Sequence, residues 1–236
     1  MSKIYLFRHA QASFGADNYD ALSEKGIEQS AKLGEYLVEK KFKFDKIFVG
    51  PLQRQQHTYE IVKGIYTKNK LSIPDPVVVD GLREHVGHKA LDKILPQLEK
   101  TPLFKERIAK MKENPKRARA NRLLLFQDFM NEWVEGKIVV AGVVSWKEFR
   151  DNVRVGLGTI LESTGSGETN AAFTSGGTIS SITAEALNIK EEKVVASLNF
   201  SIRNTSYSSF FYSKGRFNLL SLNEIPHLTE EMVTFV

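Results

Sequence analysis

The sequence predicts an α/β protein in which a sheet carries helices on its faces and a helical segment is inserted between its halves. Three observations predict this class. Strand-like and helix-like segments alternate over residues 1–80, strand signals fade between about 90 and 163, and short apolar runs suited to strands return at 171–173, 207–212 and 216–222.

Each element has its own signal. Ile4-Tyr5-Leu6-Phe7 is a short β-branched and aromatic run that reads as a buried strand. A polar loop over 11–20 and the turn-like Leu22-Ser23-Glu24-Lys25-Gly26 lead into 27–40, where Ile27, Leu33, Tyr36 and Leu37 fall close to helical spacing. Residues 44–49 form a second strand candidate that Gly50-Pro51 breaks, 52–66 read as a helix, and 76–80 supply a third strand. From 90 to 163 the pattern is helical, apart from an ambiguous apolar run at 138–144. Trp133, Phe126, Phe129 and Met130 fit one apolar helix face, which is more often core than ligand box. After 171–173, Ser175-Gly176-Gly177 marks a strand-to-helix turn before a helix at 178–187. The expected domains are a core of 1–88 with 169–236 and a helical cap of 89–168.

Composition narrows the function classes. A chain of 236 residues with 42% hydrophobic content is ordinary for a globular protein, and no apolar run approaches the roughly 20 residues that span a bilayer. A soluble cytoplasmic protein without membrane attachment is expected. The absence of cysteine excludes disulfides, thiolate metal sites and a cysteine nucleophile. A net charge of +5 suits a small anionic substrate. The basic run 105–122 lacks interleaved aromatic residues, so a solvated cap helix is expected there and no nucleic acid partner. A sheet edge or cap surface is compatible with a homodimer, which nothing in the sequence specifies.

The first strand ends at Arg8-His9-Ala10. Open α/β sheets bind ligands just beyond the carboxyl ends of their strands, so Arg8 and His9 land where a ligand is expected. An arginine offers a planar five-donor fork that suits a phosphate dianion, and a neutral imidazole nitrogen is a competent nucleophile toward phosphorus once its tautomer is fixed.

Arg8-His9, Leu22-Ser23 with Gly26 ahead of Gln29, Arg54 after Gly50-Pro51-Leu52, Glu84 in Leu82-Arg83-Glu84-His85, and Ser175-Gly176-Gly177 occur in an order that resembles the histidine phosphatase superfamily, on its phosphoglycerate mutase-like branch. Ser145-Trp146-Lys147-Glu148-Phe149 resembles the start of that family's helix returning from the cap, and Asn223 with His227-Leu228 extends the likeness toward the carboxyl end. The resemblance implies a three-layer α/β/α sandwich with a mostly parallel sheet. It implies metal-independent hydrolysis of phosphate monoesters without a cofactor, through a phosphohistidine on His9, with Glu84 as general acid and Arg8 and Arg54 gripping the phosphate. Glu84 can give a proton to the leaving alkoxide only if burial or a nearby anion holds its carboxyl protonated.

The chain departs from the family pattern in two places. Most of the superfamily carries a second histidine where this chain has Ser175, and losing one such donor typically costs about 10² to 10³ in rate. An enzyme weakened by Ser175 is therefore expected. A catalytically weakened phosphate-ligand binding or regulatory protein is the alternative, and a phosphomutase the lesser one. In the first motif, Ala10, Ala12 and Gly15 replace the usual glycine, hydroxyl residue and asparagine. Ser13 could supply the missing hydroxyl, and the amides around Gly176-Gly177 could cradle phosphate at a helix N-terminus. His57, three residues after Arg54, and His85 and His88, beside Glu84, are candidates to restore the lost imidazole, with His88 placed first. An ester hydrolase built on Ser175 and His227 lacks the preceding glycine of the G-x-S-x-G elbow. His85 and His88 alone do not complete a zinc sphere, so no metal is expected.

Overall fold

Six strands form one sheet in the order β3-β2-β4-β1-β5-β6. The structure is a computed structural model that describes residues 1–13, 20–113, 117–213 and 215–235. β1 (Ser2–Arg8), β2 (Lys46–Val49), β3 (Pro76–Val78) and β4 (Thr169–Thr174) are parallel neighbours. β5 (Tyr207–Ser213) is added antiparallel beside β1, and β6 (Arg216–Glu224) antiparallel beside β5. The mostly parallel α/β sheet expected from the sequence is therefore present.

Alternation along the strands divides the apolar side chains between the two faces. On β1, Ile4 and Leu6 face one apolar cluster while Phe7 joins another; on β4, Ala172 opposes Ala171 and Phe173 in the same way. The second cluster lies under α1 (Glu24–Glu39) and α2 (Gln53–Lys68), through Leu33, Leu37, Tyr59, Val62 and Tyr66. The other face is covered by α6 (Trp146–Ser163), α7 (Gly176–Leu187) and α8 (Glu192–Ser201). Between β3 and α6 come a 3-10 turn at Asp80–Leu82, then α3 (Gly87–Leu98), α4 (Pro102–Glu113) and α5 (Ala118–Trp133).

Several sequence expectations need correcting. Ile27 lies on the outer face of α1, 45% exposed, because the buried stripe runs through Gln29, Ser30 and Leu33. Phe44 is buried but precedes β2, and 138–144 is turn and loop rather than strand. The helix α8 carries no clear apolar period, and the sequence reading passed over it. Ser145 caps α6 in a reciprocal box, accepting from the Glu148 amide (3.2 Å) while the Glu148 carboxylate accepts from the Ser145 amide (2.7 Å). Although it falls within 89–168, α6 packs on the core, and Gly156 meets the backbone of Gly81 closely. Phe126, Phe129, Met130 and Trp133 are buried core. The basic run is spread over α4 and α5, where Arg107 pairs with Asp128, Lys110 with Glu106 and Arg122 with Asp92.

Candidate active site

Parallel pairing gathers the site. β1 and β4 are in register from Lys3 against Thr169 to Arg8 against Thr174, and Val49 of β2 lies beside Phe173, so the three strands end side by side. His9 continues β1 with its amide on the Thr174 carbonyl (2.8 Å), Arg54 sits in the first turn of α2, and Ser175 caps α7. The segment carrying Glu84 is pinned across these ends. Leu82 O accepts from Thr174 Oγ1 (2.8 Å) and Gln55 Nε2 (2.9 Å), and Arg83 O accepts from Thr178 Oγ1 (2.9 Å). Arg8, His9, Arg54, Glu84, Ser175 and Gly176, far apart in sequence, are thereby brought to one sheet edge.

The tautomer of His9 is set by its contacts. Nδ1 lies 2.7 Å from the Ala10 carbonyl, which can only accept, so Nδ1 carries the proton and Nε2 presents a lone pair. Arg54 Nε donates to that Nε2 at 2.9 Å, and Arg54 Nη1 pairs with Asp20 at 2.5 Å. The buried Arg8 guanidinium is tied through Nη1 to the Ile202 carbonyl and lies beside Gly176. Burial, then the charges of Arg54 and Arg8, hold the His9 pKa well below the ordinary imidazole range, against the weaker opposing effect of the Ala10 carbonyl. The ring is neutral at physiological pH, with burial the largest cause and the two arginines second.

Glu84 has different surroundings from those its assigned role requires. Its oxygens accept from the His85 amide (2.8 Å) and the Gly177 amide (3.0 Å), with His85 Nε2 3.6 Å away. Burial pushes its pKa up, but His85, the two amides and Arg54 together outweigh burial and leave it below the ordinary value. Glu84 is thus a carboxylate here, and its protonation calls for an anion nearby. His85 is enclosed by Phe126, Trp133, Trp146 and Phe149, with Nδ1 accepting from the Gly87 amide (3.1 Å) and Nε2 3.0 Å from Asn199 Nδ2. Its pKa is lowered by burial, which exceeds the opposing pull of Glu84.

Other sequence candidates are placed differently. Ser175 is fully buried, and its Oγ accepts from Gln55 Nε2 at 2.8 Å. The Gly177 amide, expected to cradle phosphate, is bonded by Glu84. His57 is exposed on α2, because the buried stripe there passes through Arg54, Thr58 and Val62. His88 is stacked on Phe126 with ring centroids 3.9 Å apart, and burial holds it at about 4. His227 bonds Thr205 Oγ1 at 3.0 Å rather than Ser175, which leaves the serine ester hydrolase reading without its base. Ser13 is half-buried at the start of the polar loop, its amide on the Ala21 carbonyl, and Gly15 lies outside the described residues. Among the described residues no group of three or more His, Cys, Asp or Glu could hold a metal, and no helix is long and apolar enough to cross a membrane.

Sequence reasoning missed Gln55, Asp20, Asn199 and Asn204. For Gln55 a signal existed, since a glutamine at a core-facing position of a helix must have a buried partner.

Residues 4–90 match the family model of the histidine phosphatase superfamily (branch 1). A 2,3-bisphosphoglycerate-dependent phosphoglycerate mutase of Bacteroides fragilis is 37% identical over 68 residues, which is 26% of this chain and 27% of that protein. The alignment therefore spans about a quarter of that curated relative. Among solved structures, Bacillus stearothermophilus YhfR is similar with a TM-score of 0.67 at 18% identity, over 96% of this chain and 99% of that one. A phosphoserine phosphatase from Entamoeba histolytica, in complex with 3-phosphoglyceric acid, has a TM-score of 0.63 at 16% identity, over 97% of this chain and all (100%) of that one. The segment that carries Arg8, His9, Arg54 and Glu84 is thus similar in sequence to the histidine phosphatase superfamily (branch 1), and the chain as a whole shares its fold with these solved structures.

Proposed function

We propose that the protein hydrolyses phosphate monoesters without a metal ion, through a phosphohistidine on His9. The observation that carries this reading is the state of His9: neutral, with its proton on Nδ1 and its Nε2 lone pair facing the Arg54 guanidinium. A phosphate dianion entering beside Arg54 and Arg8 would exchange the Arg54–His9 bond for arginine–phosphate bonds and so release the lone pair as it binds. Nε2 then attacks phosphorus, the P–O bond to the alcohol breaks, and the leaving oxygen takes a proton from Glu84. The incoming negative charge raises the Glu84 pKa and so supplies the protonated form. In the second half, water attacks the phosphohistidine, Glu84 takes its proton, and His9 is regenerated with release of inorganic phosphate. The superfamily match and the fold shared with a phosphatase support this assignment.

A second reading, a phosphate-ligand binding or regulatory protein with weak turnover, is favoured by one observation. Gln55 engages the hydroxyl of Ser175, where most of the family carries a second histidine. We assign weakened hydrolysis rather than its complete loss, because His9, Arg8, Arg54 and Glu84 are all present.

The test is a phosphomonoester panel in the presence of chelator, comparing the parent with His9→Ala and trapping acid-labile phosphate on the protein. Turnover with a trapped phosphoenzyme, both lost in His9→Ala, is expected. Tight phosphate binding without turnover would replace this reading with the second. Transfer of the trapped phosphoryl group to an alcohol faster than to water would make the protein a mutase.

A further inference from the structure

Two successive peptide groups set the orientation of His9, the first held by Asn204 near the far end of the chain and the second by Gln29 of α1. The peptide joining His9 to Ala10 has its carbonyl bonded by Asn204 Nδ2 (3.0 Å), and its N–H donates to Thr58 Oγ1 (3.0 Å). The next peptide, Ala10 to Gln11, provides the carbonyl on which His9 Nδ1–H rests (2.7 Å), and its N–H donates to Gln29 Oε1 (2.9 Å). That second peptide supplies the acceptor on Nδ1 and Arg54 Nε–H the donor on Nε2, and between them they fix the tautomer of the imidazole.

Gln29 and Asn204 meet at one hydroxyl. Thr234 Oγ1 accepts from Gln29 Nε2 (2.9 Å) and donates to Asn204 Oδ1 (2.9 Å). The Thr234 carbonyl also accepts from the Asn204 amide (2.9 Å), and Gln29 Nε2 reaches the Met232 carbonyl (2.7 Å). Gln29 and Asn204 are both buried, at 0% and 1% exposure, so neither can turn to water when a partner is lost. Without the Thr234 hydroxyl, Gln29 Nε2 keeps only the Met232 carbonyl and Asn204 Oδ1 loses that donor, and each of these amides has its other end on a peptide of the His9 turn.

We propose that Thr234 is a positioning residue for the reaction: its hydroxyl locks Gln29 and Asn204 so that the His9–Ala10–Gln11 turn holds the imidazole in the Nδ1-protonated tautomer. The catalytic consequence rests on the reading of His9 as nucleophile, whereas the tautomer does not.

The experiment compares Thr234→Val, which keeps shape and removes the hydroxyl, with Thr234→Ser, which keeps the hydroxyl. Long-range ¹H–¹⁵N correlation spectra of the imidazole report the tautomer, and kcat and KM are measured on a phosphomonoester that the parent turns over. For Thr234→Val, a mixture of tautomers and a kcat lowered roughly tenfold with KM within about twofold are expected, since misplacing a reacting group by about 1 Å costs up to about 10² in rate. Thr234→Ser should keep the parent tautomer and rate. An unchanged tautomer and kcat in Thr234→Val would overturn the proposal, as would equal damage in both variants, which would assign the effect to packing at this position rather than to the hydroxyl. If Thr234→Val does not fold, Thr234→Ala takes its place under the same criteria. A parent that turns over no ester would defeat the functional reading while the spectra still judged Thr234.

Discussion

Adding one methyl group at Gly177 sets helix propensity against the geometry of the site. Gly177 lies in the first turn of α7, where alanine in place of glycine ordinarily stabilises by about 0.5–1 kcal/mol. Here the new Cβ would stand 2.2 Å from Glu84 Oε1 and 2.6 Å from His85 Cδ2. The His85 ring cannot retreat, because Phe126, Trp133, Trp146 and Phe149 surround it, so Glu84 must move and lose its bond from the Gly177 amide. Overpacking costs about 1–3 kcal/mol and a hydrogen bond to a charged group about 1.5–3, so sterics exceed propensity and Gly177→Ala is destabilised by roughly 2–5 kcal/mol. With Glu84 as the proposed general acid, its displacement should lower kcat by about 10² to 10⁴. Gly64, inside α2, has nothing within 4 Å of an added Cβ, so Gly64→Ala is the matched control and should gain about 1 kcal/mol with unchanged activity. Urea unfolding and initial rates on the same preparations decide the matter. Stabilisation of Gly177→Ala equal to that of Gly64→Ala, or activity within twofold of the parent, would refute the placement of Glu84 against α7.

The same contacts lead to three further expected outcomes. Gln55→Leu removes the partner of Ser175 Oγ and one of the bonds to the Leu82 carbonyl, and should cost about 2–3 kcal/mol in urea unfolding; a loss under about 0.5 kcal/mol would contradict the role given to Gln55. Ser175→His alone should lower both stability and turnover, because the fully buried position is filled by Gln55, whereas Ser175→His with Gln55→Ala should regain activity; a single variant faster than the parent would show that the pocket has room. Burial holds His88 and His227 at about 4 in the folded chain, so below about 6.5 the unfolded chain takes up protons that the folded chain refuses until about 4. Stability is therefore complete above about pH 6.5 and is lost as pH falls toward 4, by about 3 kcal/mol for each ring. The urea midpoint of His227→Asn should fall less steeply than that of the parent over this window, and identical slopes would remove His227 from the account.

Periodicity and composition determined the class of this protein without coordinates. Leu6, Phe48 and Phe173 lie in runs that only a buried strand accommodates, and the interval between β3 and α6 reads as helical because its apolar residues recur at helical spacing. Arg8 and His9 were legible from their place at the end of a strand, since parallel strands end at a common edge, whereas Arg54 and Glu84 were found through the ordered motifs that resemble a known family. Position relative to a strand end is a local property, and local properties survive in one dimension. Only the tertiary structure decided which of the remaining polar residues serve that edge. His57 is three residues beyond Arg54 on the same helix and still faces solvent, Ser175 turns to Gln55, and the peptides that orient His9 are held by Asn204 and, through it, by Thr234. These pairings join groups as many as 195 positions apart, and their partners are chosen by the packing of separate helices and loops rather than by any period in the chain. The ionised state of Glu84 belongs with them, since it depends on the His85 ring, the amides of Gly177 and His85 and the charge of Arg54 together outweighing burial.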